Sequence, residues 1–192
     1  VVNAVVDALS EAGVRYLSAA HNWAGRSVPY LTGGTKLSRP FWWRSAAGNR
    51  IMVWFTDTAH GMAYMEGNLV GFSAGYELVD DLLPSYLDGL ANRATPYGSE
   101  IFGWTPPLDA AVGERLPYEY DVVHLRVQGA HADNACPNAM PSDIVRQWNE
   151  TYLYPRLRIS TSKDFFADVE QRYGEQLPEF SGDWGDWWAD GI

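Results

Sequence analysis

This 192-residue chain holds a single cysteine, so an internal disulfide framework is excluded. It is short of positive charge: 14 Lys and Arg stand against 24 Asp and Glu, a formal net charge of -10. Such a surface has no electrostatic basis for gripping nucleic acid or an anionic membrane, and a neutral or cationic partner suits it better. No apolar run approaches the length of a membrane span. The start, "VVNAVVDALSEAG", has no initiator Met and no basic n-region, so a signal peptide is not visible and the chain reads as soluble, with its compartment open. There is no Gly-rich phosphate loop, no G-x-S-x-G elbow and no clustered Cys/His pattern for structural zinc. Internal repeats and low-complexity segments are missing as well.

What is present in quantity is aromatic: 9 Trp, 11 Tyr and 7 Phe. Trp packs cores, fills interfaces or stacks on ring-shaped ligands, and core packing is the expectation for most of them here. Apolar residues at 46% and charged residues at 20% describe a globular domain.

Val2, Val5, Val6 and Leu9 recur at helical spacing, with Gly13 as a natural C′ residue. "VRYLSAA" (14–20) reads as a buried strand, followed by a loop of 20 residues, long enough to be functional. "FWWRSAAGNRIMVWF" reads as a β-hairpin turning at residues 46–49. "TDTAHGMAYMEGN" is a loop or short helix carrying Asp57, His60, Tyr64 and Glu66. "YELVDDLLPSYLDGLAN" is helical with an apolar stripe (Leu78, Leu82, Leu83, Tyr86, Leu87, Leu90), and Pro84 predicts a kink or a break. "YDVVHLRV" (120–127) reads as a strand, 141–154 as a helix with Ile144, Trp148 and Tyr152 on one face, and "RLRIS" (156–160) as a short strand. Thr161 and Asp164 form a capping-box-like start to a helix whose stripe is Phe165, Val169 and Tyr173, ended by Gly174. The tail "LPEFSGDWGDWWADGI" reads as a turn-rich loop. Alternating helices and strands predict an α/β domain with a largely parallel sheet, where reactive side chains gather at the carboxyl ends of strands.

The stretch "RVQGAHADNACPNAMP" occupies such an exit. His131 and Asp133, two apart, share one side if the chain is still extended and can serve one ligand, metal or proton; the alternative is a turn in which Asp133 and Asn134 bond nearby backbone. Cys136, with no basic neighbour, reads as a small packed residue rather than a nucleophile. His124 lies inside the expected strand and reads as a core or sheet-face residue. His21 and Trp23 in the long loop can face a sugar ring or pin the loop; Asp57 is as well explained as a helix N-cap. Asp183, Asp186 and Asp190 stand beside Trp residues that include Trp187, an arrangement suited to sugar hydroxyls and ring faces, or else a packed turn.

Three blocks, "RPFWWRSAAGNRIMVWFTD", "HADN" and "IVRQWNETYLYPRLRISTSKDFFADVEQRYGEQLPEFSGDWGDWWADG", together resemble the catalytic domain of family 38 glycoside hydrolases, the α-mannosidase family, especially its divergent bacterial members. The resemblance covers most of the chain. It implies part of a (β/α)7 barrel over residues 1–192, retaining cleavage of α-mannosidic bonds through a glycosyl-enzyme intermediate, a carbohydrate substrate and a zinc ion. The family's early His-x-Asp motif, its nucleophile motif and its later His-Asp motif do not occur here, so the resemblance implies a middle slice truncated at both ends and inactive alone, with nucleophile and zinc ligands encoded outside it. The acid/base carboxylate maps onto Asp133, although "GAHADN" departs from the family's Gly-Asp-Asp loop; the zinc role is not carried over to His131. Catalytic candidates are thus Asp133 and His131, and substrate-binding candidates are Asn134, Trp23, His60, Tyr64 and Trp187. Two other readings stay open: a metal-dependent polysaccharide deacetylase-like barrel, and a non-catalytic carbohydrate-binding protein. The glycan, the linkage and the oligomeric state are not legible.

Overall fold

The computed structural model describes residues 2–20, 40–56, 66–92, 118–129 and 135–183. Helix α1 (Val5–Glu11) leads through Gly13, at φ +79°, into strand β1 (Tyr16–Ala20). The expected hairpin forms from β2 (Phe41–Arg44) and β3 (Arg50–Thr56). Its turn is closed by the Ser45 N–H on Asn49 O and carries Gly48 at φ +95°, a left-handed conformation that glycine adopts without a Cβ clash. Helices α2 (Glu66–Leu69), α3 (Tyr76–Asn92), α4 (Met140–Thr151) and α5 (Ser162–Tyr173) follow, then the two-residue strand β4 (Glu179–Phe180).

The sheet order is β1-β3-β2-β4. β1 is parallel to β3, β4 is parallel to β2, and only the hairpin pair is antiparallel. Among the described residues the sheet is open and mostly parallel, within a mixed α/β domain. β3 is its central strand, and Ile51, Met52, Val53 and Trp54 are all fully buried. Period-2 alternation sends Ile51 and Val53, with Phe41 and Trp43, against Val6 of α1. Met52 and Trp54, with Trp42, face Phe165, Phe166 and Val169 of α5. Burial of one such aliphatic or Phe side chain contributes roughly 1.5–3 kcal/mol, so a strand buried on both faces anchors the whole unit. A third cluster joins α3 and α4 through Val79, Leu83, Tyr86, Leu90, Ile144 and Trp148. The described tryptophans, Trp42, Trp43, Trp54 and Trp148, are all buried, as core packing predicts.

The Thr161 side chain caps α5 by accepting the Asp164 N–H, as its sequence signature predicts. Helix α3 runs through Pro84 without the break that proline allowed, and Leu78 of the predicted stripe is exposed while Val79 is buried. Helix α4 stops at Thr151; Tyr152 is already extended and partly exposed, with its hydroxyl donating to Asp80.

Two expected strands pair with no other described strand. Among the described residues, 120–127 and 156–160 join no ladder. In both places the side-chain amide of an asparagine takes the role of a neighbouring strand. Asn68 accepts the Gln128 N–H at 2.8 Å and donates to Gln128 O at 2.9 Å. Asn149 accepts the Leu157 N–H at 2.9 Å and donates to Leu157 O at 2.8 Å. An amide carries a donor and an acceptor side by side, so it reproduces one rung of a sheet. The tail, expected as loop alone, supplies β4: Trp42 and Trp43 pair with Glu179 and Phe180, and the Trp43 indole N–H donates to Gly182 O at 3.0 Å.

Candidate functional site

The parallel register places Ala20 opposite Thr56, so the chain leaves the sheet from two adjacent strand ends. The segments that follow in sequence contain Trp23 on one side and His60 and Tyr64 on the other. Those three residues, with His131, Asp133, Asn134 and Trp187, lie outside the described residues, as do His21, Asp57, Asp186 and Asp190. What the structure describes is the ground from which these candidates depart.

Close to the end of β3 lies a fully buried carboxylate, Glu66, the first residue of α2. The Trp54 indole N–H faces both its oxygens, at 3.3 and 3.2 Å. Arg126 Nε stands 3.7 Å from Oε2, and the Arg126 side chain is itself 17% exposed. A carboxylate is retained in such an interior only with a countercharge and hydrogen bonds, because removing it from water alone costs several kcal/mol. Trp54 is in turn enclosed edge-on by Tyr118, His124 and Phe165. His124, half-buried, stacks on Phe165 with centroids 4.7 Å apart.

The next two residues of α2 continue the contact. The Gly67 N–H donates to Arg126 O at 2.7 Å, and a Cβ on Gly67 would stand 2.6 Å from Val127 Cγ2, too close for any other residue without displacement. Asn68 then takes both backbone groups of Gln128. Three consecutive residues of α2 thereby hold Arg126, Val127 and Gln128, immediately before the stretch that contains His131, Asp133 and Asn134. The described flanks of that stretch meet: a Cβ on Gly129 would fall 1.6 Å from Cys136 O. Cys136 is exposed, against the expectation of a packed residue, because this close approach is made by its backbone.

The tail leaves from elsewhere. Phe180 is level with Trp43, which is level with Ile51, and β4 runs against β3. Residues 181–183 therefore depart at the end of the sheet opposite Thr56, about 17 Å away at ~3.3 Å per residue. Asp183 accepts the Asn3 N–H at 2.5 Å, which accords with the packed-turn reading of that carboxylate.

In the sequence Glu66 stands beside His60 and Tyr64 with nothing that assigns it a role of its own. The available signal was a lone acid within "YMEGNLVGF" and a lone Arg within "VVHLRVQG", opposite charges each set in apolar surroundings. Among the described residues no group of three His, Cys, Asp or Glu side chains could hold a metal ion, so the zinc implied by resemblance has no ligand set there and no chemical step is derived through it. No helix among the described residues is long and apolar enough to cross a membrane. Compared with protein-family models, with curated proteins and with solved structures, the chain matches none.

Proposed function

We propose that this chain is part of the catalytic domain of a retaining, α-mannosidase-like glycoside hydrolase, built as a (β/α)7-type barrel, with Asp133 as its acid/base. In that role Asp133 gives a proton to the glycosidic oxygen as the bond to the leaving sugar breaks. It then takes a proton from the water that releases the glycosyl intermediate. His131 and Asn134 shape its surroundings; Trp23, His60, Tyr64 and Trp187 face the sugar. The nucleophile is not among the motifs of this chain.

The observation that supports the reading is the pairing of the first and third of the blocks that bear the resemblance. The first and third blocks, far apart in sequence, are neighbouring strands of one sheet, Trp42 opposite Glu179 and Trp43 opposite Phe180. In sequence the second block begins two residues after Gly129, and the described residues before it, Arg126 to Gln128, are linked by α2 to Trp54 of the first block. Segments that belong to one catalytic unit are expected to converge in this way around strand ends.

The test is hydrolysis of an aryl α-mannoside by the full-length protein that carries this chain, with the anomer of the released mannose followed by NMR. The expected product is the α-anomer, and Asp133→Asn lowers kcat by roughly 10²–10⁴-fold with KM little changed. Inverted product, or unchanged turnover in Asp133→Asn, refutes the assignment. Acetate release from an acetylated polysaccharide without glycoside cleavage marks the deacetylase alternative; sugar binding without turnover marks the binding-protein alternative.

A further inference from the structure

We propose that Ser162 and His124 form a nucleophile–base pair that hydrolyses carboxylic esters, a second activity that does not rest on the glycosidase reading. Three hydroxyl residues stand in a row where the chain enters α5. Ser160 donates to Asp164 Oδ2 at 3.1 Å, and Thr161 Oγ1 accepts the Asp164 N–H at 3.2 Å, so both serve the start of the helix. Ser162 turns to a base instead: its Oγ stands 3.5 Å from His124 Nε2. Ser162 is exposed and open to a substrate, while His124 is half-buried.

The imidazole is oriented by packing. It stacks on Phe165 and meets Trp54 edge-on at 5.9 Å, with Phe166 tilted beside it at 6.3 Å. These rings fix its plane, and Nε2 is the atom it presents to Ser162. With the ring proton on Nδ1, Nε2 accepts the serine O–H. Ser162 is also the first residue of α5. Its N–H and that of Lys163 lie in the first turn, where no helix satisfies its own donors and the dipole adds positive potential. A nucleophile's own N–H and the next one are donors that serve a tetrahedral oxyanion. The 3.5 Å separation is longer than a proton-transfer bond, and such bonds tighten when substrate is bound.

In the reaction, Ser162 Oγ bonds to the ester carbonyl carbon as its proton passes to Nε2. The carbon–oxygen bond to the alcohol breaks, and the alcohol leaves with that proton. Water then adds to the acyl carbon and gives a proton to Nε2, which returns it to Oγ as the acyl–serine bond breaks and the carboxylic acid departs. No further reactant is needed.

The test uses the full-length protein in EDTA, which removes any contribution from a metal-activated water. A fluorophosphonate is expected to label Ser162, as located by peptide mass spectrometry, and 4-nitrophenyl acetate to be hydrolysed. Ser162→Ala, at an exposed helical position that alanine suits, should remove both. His124→Gln should slow both by roughly 10²–10⁴-fold. If His124→Gln does not fold, urea-unfolded wild type replaces it, and Ser162 should lose its label with the fold. No label at Ser162, equal labelling of folded and unfolded protein, or a His124→Gln variant that reacts at the wild-type rate overturns the pair. Labelling without ester turnover, or turnover that survives Ser162→Ala, overturns the esterase activity.

Discussion

The indole N–H of Trp54 points at both carboxylate oxygens of Glu66, at 3.3 and 3.2 Å, inside a site from which water is excluded. The central strand is thereby joined to a buried charge, and through Arg126 to the segment 118–129. That relationship makes Glu66 more consequential for folding than a surface acid of the same chain.

Glu66→Ala should cost about 3 kcal/mol of unfolding free energy, the low end for breaking a buried pair, since the Arg126 contact at 3.7 Å is longer than a hydrogen bond. Glu66→Gln keeps the shape and an acceptor for Trp54, and should cost less than half as much. Urea midpoints of the two variants measure this. Equal midpoints for wild type and Glu66→Ala would mean that the charge is not held in a low-dielectric environment.

A second expectation concerns pH. Asp121 is held below its ordinary range first by the Tyr173 hydroxyl, which donates to it at 2.6 Å, and next by Arg172. Tyr173 is held above its ordinary range chiefly by that same bond. Stability from a lowered carboxyl is complete above its unfolded pKa and lost as pH falls through the folded one. Stability from a raised phenol is complete below its unfolded pKa and lost as pH rises through the folded one. This cluster therefore supports the fold between roughly pH 4 and pH 10 and weakens beyond both limits. Tyr173→Phe should remove the alkaline loss from this group and return Asp121 toward its ordinary range. Unfolding free energy against pH, with the Asp121 carboxyl followed by NMR, checks both; an unmoved Asp121 titration would contradict the assignment.

Pro84 offers a third. It is exposed inside α3, where a proline costs about 3 kcal/mol relative to alanine, while its restriction of the unfolded chain returns ~0.4–1 kcal/mol. Pro84→Ala should thus stabilise the protein by about 2 kcal/mol, a rise in Tm of roughly 4–8 °C at this length. A lower Tm would show that the packing of Leu83 and Tyr86 depends on the proline's bend.

The departures from sequence-based expectation share a cause. Residues 120–127 and 156–160 carry strand composition, yet strand composition states only that a segment suits an extended, half-buried place. It does not name the partner for the backbone. Asn68 and Asn149 win that competition because each sits on a helix packed beside the segment, buried or half-buried, and offers donor and acceptor together. Glu179 and Phe180 show the converse: a turn-rich tail gains two rungs of β-structure because β2 has an open edge beside it. For the candidate site, the ends of β1 and β3 were legible, and the register shows that Ala20 and Thr56 are adjacent; Trp23, His60 and Tyr64 follow them in sequence, outside the described residues. The buried carboxylate of Glu66 was not, because a glutamate's burial depends on an arginine sixty residues away.

The sequence by itself determined what depends on neighbours a few positions apart: the apolar stripes of α4 and α5, the Thr161 cap, the Gly13 stop, and the hairpin through Gly48. Helical period, capping and turn conformation are local free energies, and they persist whatever surrounds them. Only the tertiary structure decided the rest: which edge β4 joined, which extended segments became strands, and that Glu66 would be enclosed by Trp54 and Arg126. Those outcomes are competitions for backbone partners and for countercharges between residues distant in the chain, and they are settled only once the core has brought the competitors together.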